Sequence, residues 1–224
     1  MKKPTQVTSD IFQIGGSGES APQDASIYLI KDGNMSAVVD AGSGYGSKTV
    51  LENIKQCGLE LSDIAYIFIT HCHFDHTGGI NDLRKATGAK VVMHQDDAGF
   101  LISGDMLVTG AKWYGGHIDP TPIDIIVNEK EKDFALNELN VTMYHIPGHS
   151  PGSVVFTVNS DGQLVLFGQD VHGPVSGIIL HSNRAEYEKS LERLIGLNAD
   201  ILCEGHFGVY FGKEKIREFI KSFL

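Results

Sequence analysis

The chain is poor in cysteine, tryptophan and positive charge. Cys57, Cys72 and Cys203 are too few and too widely spaced in 224 residues for a disulfide framework, and they predict reduced thiols in a reducing compartment. Lys and Arg number 18 against 28 Asp and Glu, a formal net charge of -10, which argues against a basic surface that holds nucleic acid. No apolar run approaches the ~18 residues of a membrane span, and the opening MKKPTQVTSD lacks the apolar core of a secretion signal. A soluble, cytoplasmic protein without nucleic-acid or membrane partners is expected. What the chain does have is 42% hydrophobic content, enough for a sizeable core, and no linker-like stretch within residues 1–224, so one domain is expected.

The most informative stretch is His71-Cys72-His73-Phe74-Asp75-His76, directly after the apolar run Ile64 to Ile69. That run is short, β-branched and aromatic, and reads as a buried strand. Three imidazoles and a carboxylate within six residues, with no lysine or arginine among them, supply the nitrogen and oxygen donors that borderline divalent metals take. In extended backbone, residues two apart share a side, so His71 and His73 can grip one ion. His76 has the other parity, and a turn permitted by Thr77-Gly78-Gly79 would swing Asp75 and His76 toward a second ion.

Along the rest of the chain, strands are predicted at Ile11 to Ile14, Ser26 to Ile30 and Ser36 to Val39, the last ending in Asp40. Asp40 reads either as a group behind the metal ligands, accepting the outer N–H of an imidazole, or as a turn-stabilising aspartate. The following Gly-rich turn lacks the spacing of a phosphate-binding loop, and Ser47 is placed to cap a helix carrying Val50, Leu51 and Ile54. A helix over 79–87 and a strand over 90–93 continue a β-then-α rhythm. Residues 96–122, with Trp113, Tyr114, His117, Pro120 and Pro122, read as a loop or lid facing substrate, with plain packing or a contact in a homodimer as the other uses. Strands then recur at 141–146, 153–158, 163–167 and 200–203, with helices at 184–197 and 213–223. Three of these strands lead into His149 in Gly-His-Ser-Pro-Gly, Asp170 in Gly-Gln-Asp, and His206 in Glu-Gly-His.

Singly each of these late donors has an ordinary structural explanation; together with the early cluster they form a pattern. The chain resembles the metallo-β-lactamase superfamily across essentially its whole length, through Asp40, His71-x-His73-x-Asp75-His76, His149, Asp170 and His206 in order. The resemblance implies an α/β fold, an αβ/βα four-layer sandwich of two mixed β-sheets with helices on the outer faces. It implies that His71, His73 and His149 hold one divalent ion, that Asp75, His76 and His206 hold a second, and that Asp170 bridges them. Zinc suits this donor set first, although iron or manganese would accept it.

The resemblance also implies a binuclear hydrolase of the glyoxalase II-like or lactonase-like kind. A metal-bridging hydroxide would attack an ester, thioester or lactone carbonyl of a small-molecule substrate, with Asp75 carrying a proton to the leaving group. Within the family, β-lactamases place a cysteine in the second site where this chain has Asp170 in the bridging motif, lactonases carry a tyrosine where Gly173 stands, and glyoxalase II enzymes have an added helical region beyond the final helix seen here. Nuclease branches need basic additions. An iron-dependent persulfide dioxygenase is the alternative on the same scaffold. Cys72 and Cys203 match no ligand position and read as buried fillers. Residues offered as shaping the substrate site are Trp113, Tyr114, His117, His172, His181 and Tyr210.

Overall fold

Residues along each strand alternate between two apolar environments, and this alternation sets the layers. The structure, a computed structural model, describes residues 3–224. In the first sheet the strands lie in chain order: β1 (Thr5–Gln6), β2 (Ile11–Gly15), β3 (Ile27–Ile30), β4 (Ser36–Val39), β5 (Ile64–Phe68), β6 (Lys90–His94) and β7 (Ile125–Val127). Neighbours are antiparallel from β1 to β4 and parallel from β4 to β7. The second sheet holds β8 (Glu131–Ala135), β9 (Asn140–His145), β10 (Val154–Ser160), β11 (Gln163–Gln169), β12 (Ile201–Glu204) and β13 (Val209–Phe211), also in chain order. Here β11 and β12 pair in parallel and the other neighbours antiparallel. The helices are α1 (Ser47–Gln56), α2 (Phe74–Thr77), α3 (Ile80–Thr87), α4 (Gln95–Ser103), α5 (Arg184–Leu197) and α6 (Lys213–Lys221).

Ile11, Tyr28, Val39, Phe68 and Val92 of the first sheet share one core with Phe134, Met143, Phe156, Phe167 and Ile201 of the second. Rings meet across the gap, Phe68 with Phe156 at 4.9 Å and Tyr28 with Phe167 at 5.6 Å between centroids. The opposite face of the first sheet, including Leu29, Val38, Ile67 and Val91, packs with Val50 and Ile54 of α1, Leu83 of α3 and Leu101 of α4. The outer face of the second packs Val155, Leu166 and Leu202 with Tyr187, Leu191 and Leu194 of α5 and Ile216 and Ile220 of α6. The result is the helix–sheet–sheet–helix sandwich, with both sheets mixed. Among the described residues no helix is long and apolar enough to cross a membrane.

Several expectations change. Residues 95–103 form α4, capped by the His94 ring, whose Nδ1 accepts the Asp96 N–H at 3.3 Å, so the loop reading holds only for about 104–122, where a 3-10 turn spans Ala111–Tyr114. Ser47 is the first residue of α1 and donates its hydroxyl to the Gly44 carbonyl, capping nothing; Gly46 holds the cap position. Strands β4, β5, β9, β11 and β12 all end at one rim, where the sheets are tied by Val154 N–H to the Thr70 carbonyl (2.8 Å) and Ser26 N–H to the Gly205 carbonyl (2.7 Å).

Candidate metal centre

Each donor is placed by the way its strand ends. After β5 the chain bends at Cys72, His73 returns to extended backbone, and the single turn of α2 then carries Asp75 and His76 round toward the same site. Gly78 and Gly79 let that turn lie against residues 41–43, because a Cβ at either would run into the carbonyl of Ser43 or Ala41. His149 sits in the tight turn after β9, where Gly148 (φ +133) passes so close to the Tyr187 backbone that a side chain has no room. Asp170 follows Gln169, itself held at φ +46. The Glu204 carboxylate accepts the backbone N–H of His206 (2.7 Å) and Phe207 (2.8 Å) and so shapes the last donor loop.

All seven expected donors converge. His149 Nε2 lies 3.2 Å from His71 Nε2 and 2.9 Å from His73 Nδ1. Asp170 stands between two sets. Its Oδ2 faces His149 Nε2 (3.4 Å) and His71 Nε2 (3.9 Å), and its Oδ1 faces His76 Nε2 (3.1 Å) and His206 Nε2 (3.3 Å). Asp75 Oδ2 completes the second set at 3.2 Å from His206 Nε2. The donor atoms of His71, His73, His149 and Asp170, and separately those of Asp75, His76 and His206, lie within 4.8 Å of one another, the span a metal ion needs. Other clusters of the kind are poorer. His94 and His145, beside Asp96, stack nearly parallel at 3.8 Å, so their in-plane lone pairs do not meet at one point.

The outer ring nitrogens are already committed. His76 Nδ1 donates to Asp40 Oδ2 (2.7 Å), His149 Nδ1 to the Pro174 carbonyl (2.8 Å), and His71 Nδ1 faces Thr70 Oγ1 (3.1 Å). These partners leave Nε2 of each ring as an inward lone pair, which is how ligating imidazoles are oriented. Asp40 thus acts behind the donors, and also accepts Thr70 N–H (2.9 Å) and the Thr70 hydroxyl. Inward-facing His76 Nε2 and Asp170 Oδ1 make no hydrogen bond although both are buried, a cost polar atoms rarely bear unless a ligand satisfies them.

The electrostatics of the two sets differ. Burial and the neighbouring imidazoles push His71 well below its ordinary value and His73 down to about 3, so both stay neutral and keep their lone pairs. Burial also opposes charge on His76 and His206, but Asp170, Asp40 and Asp75 outweigh it at His76, and Asp170 and Asp75 raise His206 to about 10. Burial raises Asp170 in turn, yet the surrounding His76, His149 and His206 hold it well below the carboxylate range. The second set therefore favours positive charge, held as a proton on His76 and His206 that a cation would displace from their inward nitrogens.

Sequence reasoning missed Asp97. On the first turn of α4 and fully buried, it accepts the Cys72 N–H (2.9 Å), the Ser150 hydroxyl (2.6 Å) and the Gly152 N–H (2.7 Å). One carboxylate therefore ties the loop between His71 and His73 to the turn that carries His149. The available signal was an acidic pair shortly after a predicted strand, Asp96-Asp97. Cys72 and Cys203 are buried and free, as fillers should be.

A cavity of about 180 Å³ opens over the donors, floored by His73, Asp75, Asp170 and His206. Thr109, Gly110, Trp113 and Tyr114 make one wall, and His172, Pro174 and Leu180 the other. Of the residues expected to shape it, Trp113, Tyr114 and His172 do. His117 is exposed beside Asp119 (3.2 Å), His181 packs edge-on to Phe100, and Tyr210 stacks on Phe219, all outside the cavity wall. His172 Nδ1 donates to Glu204 Oε1 at 2.9 Å.

A family model described as the metallo-beta-lactamase superfamily matches residues 21–206, a span containing every donor named above. A hydroxyacylglutathione hydrolase of Albidiferax ferrireducens is 29% identical over 186 residues, covering 82% of this chain and 62% of that protein. The acyl-coenzyme A thioesterase MBLAC2 of Gallus gallus is 27% identical, covering 96% of this chain and 84% of that protein. The chain thus spans under two thirds of the first relative and most of the second. Among solved structures, the native FEZ-1 metallo-beta-lactamase from Legionella gormanii superposes with a TM-score of 0.82 at 18% identity over 99% of this chain and 92% of that one, which is a likeness of fold. By its sequence match and by its fold, this chain belongs to the metallo-beta-lactamase superfamily.

Proposed function

We propose that the protein is a metal-dependent hydrolase acting on an ester, thioester or lactone carbonyl of a small molecule. The observation that carries this reading is Asp170 standing between two separate donor sets, one oxygen toward each. His71, His73 and His149 would hold one divalent ion, Asp75, His76 and His206 a second, and Asp170 would touch both, with zinc preferred for a mostly imidazole set. Bound there, two such ions supply Lewis acidity and a nucleophile from water at neutral pH.

The chain's own groups have the remaining tasks. Asp75 lies on the cavity floor, where its carboxylate can take a proton and pass it to the leaving atom. The Tyr114 phenol lines the cavity, and burial together with the Asp75 carboxylate raises its pKa, so it stays protonated and able to donate. Pro174 and Leu180 on one wall and Trp113 on the other exclude water around the reacting bond. The names of the curated relatives, a glutathione-thioester hydrolase and an acyl-coenzyme A thioesterase, support thioesters as the first substrates to assay. The three free, buried thiols support a reducing compartment such as the cytoplasm.

Metal content by mass spectrometry, combined with turnover of thioester, aryl-ester and lactone panels, tests the proposal. Two metal ions per chain and carbonyl hydrolysis are expected. One iron per chain with oxygen uptake on a persulfide would replace the reading by a dioxygenase.

A further inference from the structure

The cavity over the donors is lined without lysine or arginine, and its mouth carries exposed apolar side chains. Trp113 forms part of the wall and is still 57% exposed. Phe207, next to His206, is 59% exposed and lies edge-on to the cavity residue His172 at 4.9 Å. Ile178 is 93% exposed in the loop that supplies Pro174 and Leu180. Tyr45 is exposed and edge-on to Phe74, whose ring lies 5.7 Å from that of Tyr114. Leaving large apolar surfaces in water forgoes roughly 25 cal/mol for each Å² that could be buried, and clusters of them around a concave site are the mark of an apolar ligand.

The wall is also held in place. Phe74 N–H donates to the Thr109 carbonyl at 2.8 Å, and the Gly116 backbone lies so close to the Phe74 ring that a Cβ there would collide with it. Gly110, at φ +69, lies under the Trp113 ring. The indole is thus carried by a turn anchored to the donor loop itself, ready to cover whatever lies on the floor.

We propose that the group seated against Trp113 is an uncharged aliphatic or aryl acyl chain, and that the site selects against anionic acyl groups. This rests on the hydrolase reading and adds the chemistry of the substrate to it. The wall around Trp113, Pro174 and Leu180 carries no lysine or arginine, so a carboxylate at the far end of an acyl group seated there, away from His206 and the donor floor, would be desolvated without a side-chain cation to meet it. An alkyl chain buries apolar surface instead.

The test uses the metal-loaded full chain and two readouts. First, kcat/KM is measured for acetyl, butyryl, hexanoyl and succinyl thioesters of one neutral thiol. Each added CH₂ should raise it about four-fold while it fits, the equivalent of ~0.8 kcal/mol per buried methylene, and succinyl should fall at least ten-fold below butyryl. Trp113→Ala should flatten the chain-length slope, with the largest loss on hexanoyl and the smallest on acetyl. Second, Trp113 is the sole tryptophan, so its fluorescence reports occupancy of the wall without catalysis. Non-hydrolysable hexyl thioethers should change the emission at concentrations where carboxypropyl thioethers do not. Equal response to both thioethers, or a flat or succinyl-favouring slope, overturns the proposal. Selective hexyl binding with no thioester or ester hydrolysed leaves it standing and removes the hydrolase reading.

Discussion

Asp97→Ala should weaken the fold and the metal site together. The carboxylate receives three hydrogen bonds, and only the Ser150 hydroxyl has a replacement partner, Ser153 Oγ at 2.8 Å. Truncation therefore strands the buried Cys72 and Gly152 N–H groups, each at about 1–3 kcal/mol, for a total of about 2–6 kcal/mol. Part of this is returned, because burial raises the Asp97 carboxyl above its ordinary value and the variant no longer desolvates a charge. A net loss of about 2–4 kcal/mol is expected, read as a lower denaturant midpoint of the metal-free chain. Since Cys72 lies between two donors and Ser150 beside a third, the affinity for the ion at His71, His73 and His149 should fall on the order of 10- to 100-fold. Asp97→Asn keeps an acceptor but turns an NH₂ toward a donor, and should fall between the two. The assay is a competitive chelator titration alongside urea unfolding. Metal affinity within three-fold of wild type and stability within about 0.5 kcal/mol in the alanine variant would refute the inference that this carboxylate clamps the two loops.

Other expectations follow from single residues. His73→Ala removes one nitrogen of the first donor set and should abolish turnover while unfolding stays cooperative; a fully active variant would rule out its role as a ligand. Gly148→Ala must fit a Cβ against the Tyr187 backbone at φ +133, which should cost on the order of 3 kcal/mol or more in thermal or urea unfolding; a midpoint unchanged from wild type would show that the turn can shift freely. Burial, reinforced by His145, lowers His94 to about 4 from the 6.5 of an unfolded chain. The unfolded state then binds the extra proton, so this contribution is intact above pH 6.5 and is lost as pH falls toward 4, up to about 3 kcal/mol in all. His94→Asn keeps an acceptor at the N-cap of α4 and removes the titration, so its stability should decline less steeply between pH 6.5 and 4; parallel curves would assign the acid loss elsewhere.

The sequence made the donors legible because each is a His or Asp directly beyond an apolar strand, and strand ends at one rim bring such residues together whatever lies between them. Long central strands and the amphipathic α5 were readable for the same reason, a strong period. Less of the periphery could be read. Glu131–Ala135 is mostly exposed on an edge strand, so it carries no apolar alternation, and β7 and β13 are only three residues long. In α4, only Ala98 and Leu101 among the apolar residues are buried, and Gly99 with two aspartates imitates a loop. Asp97 owes its role to partners 25 and 55 residues away, a relation no local pattern encodes.

The donor groups are divided between the halves of the chain, with His71, His73, Asp75 and His76 following β5 of the first sheet and His149, Asp170 and His206 arising from the second. A nascent polypeptide that has built only one sheet owns half a chelate, so cation loading as proposed would be a late event that reports a finished tertiary structure. Ions held by these groups would bind the docked form alone and latch the two halves along this rim, and stripping them should loosen the molecule there first.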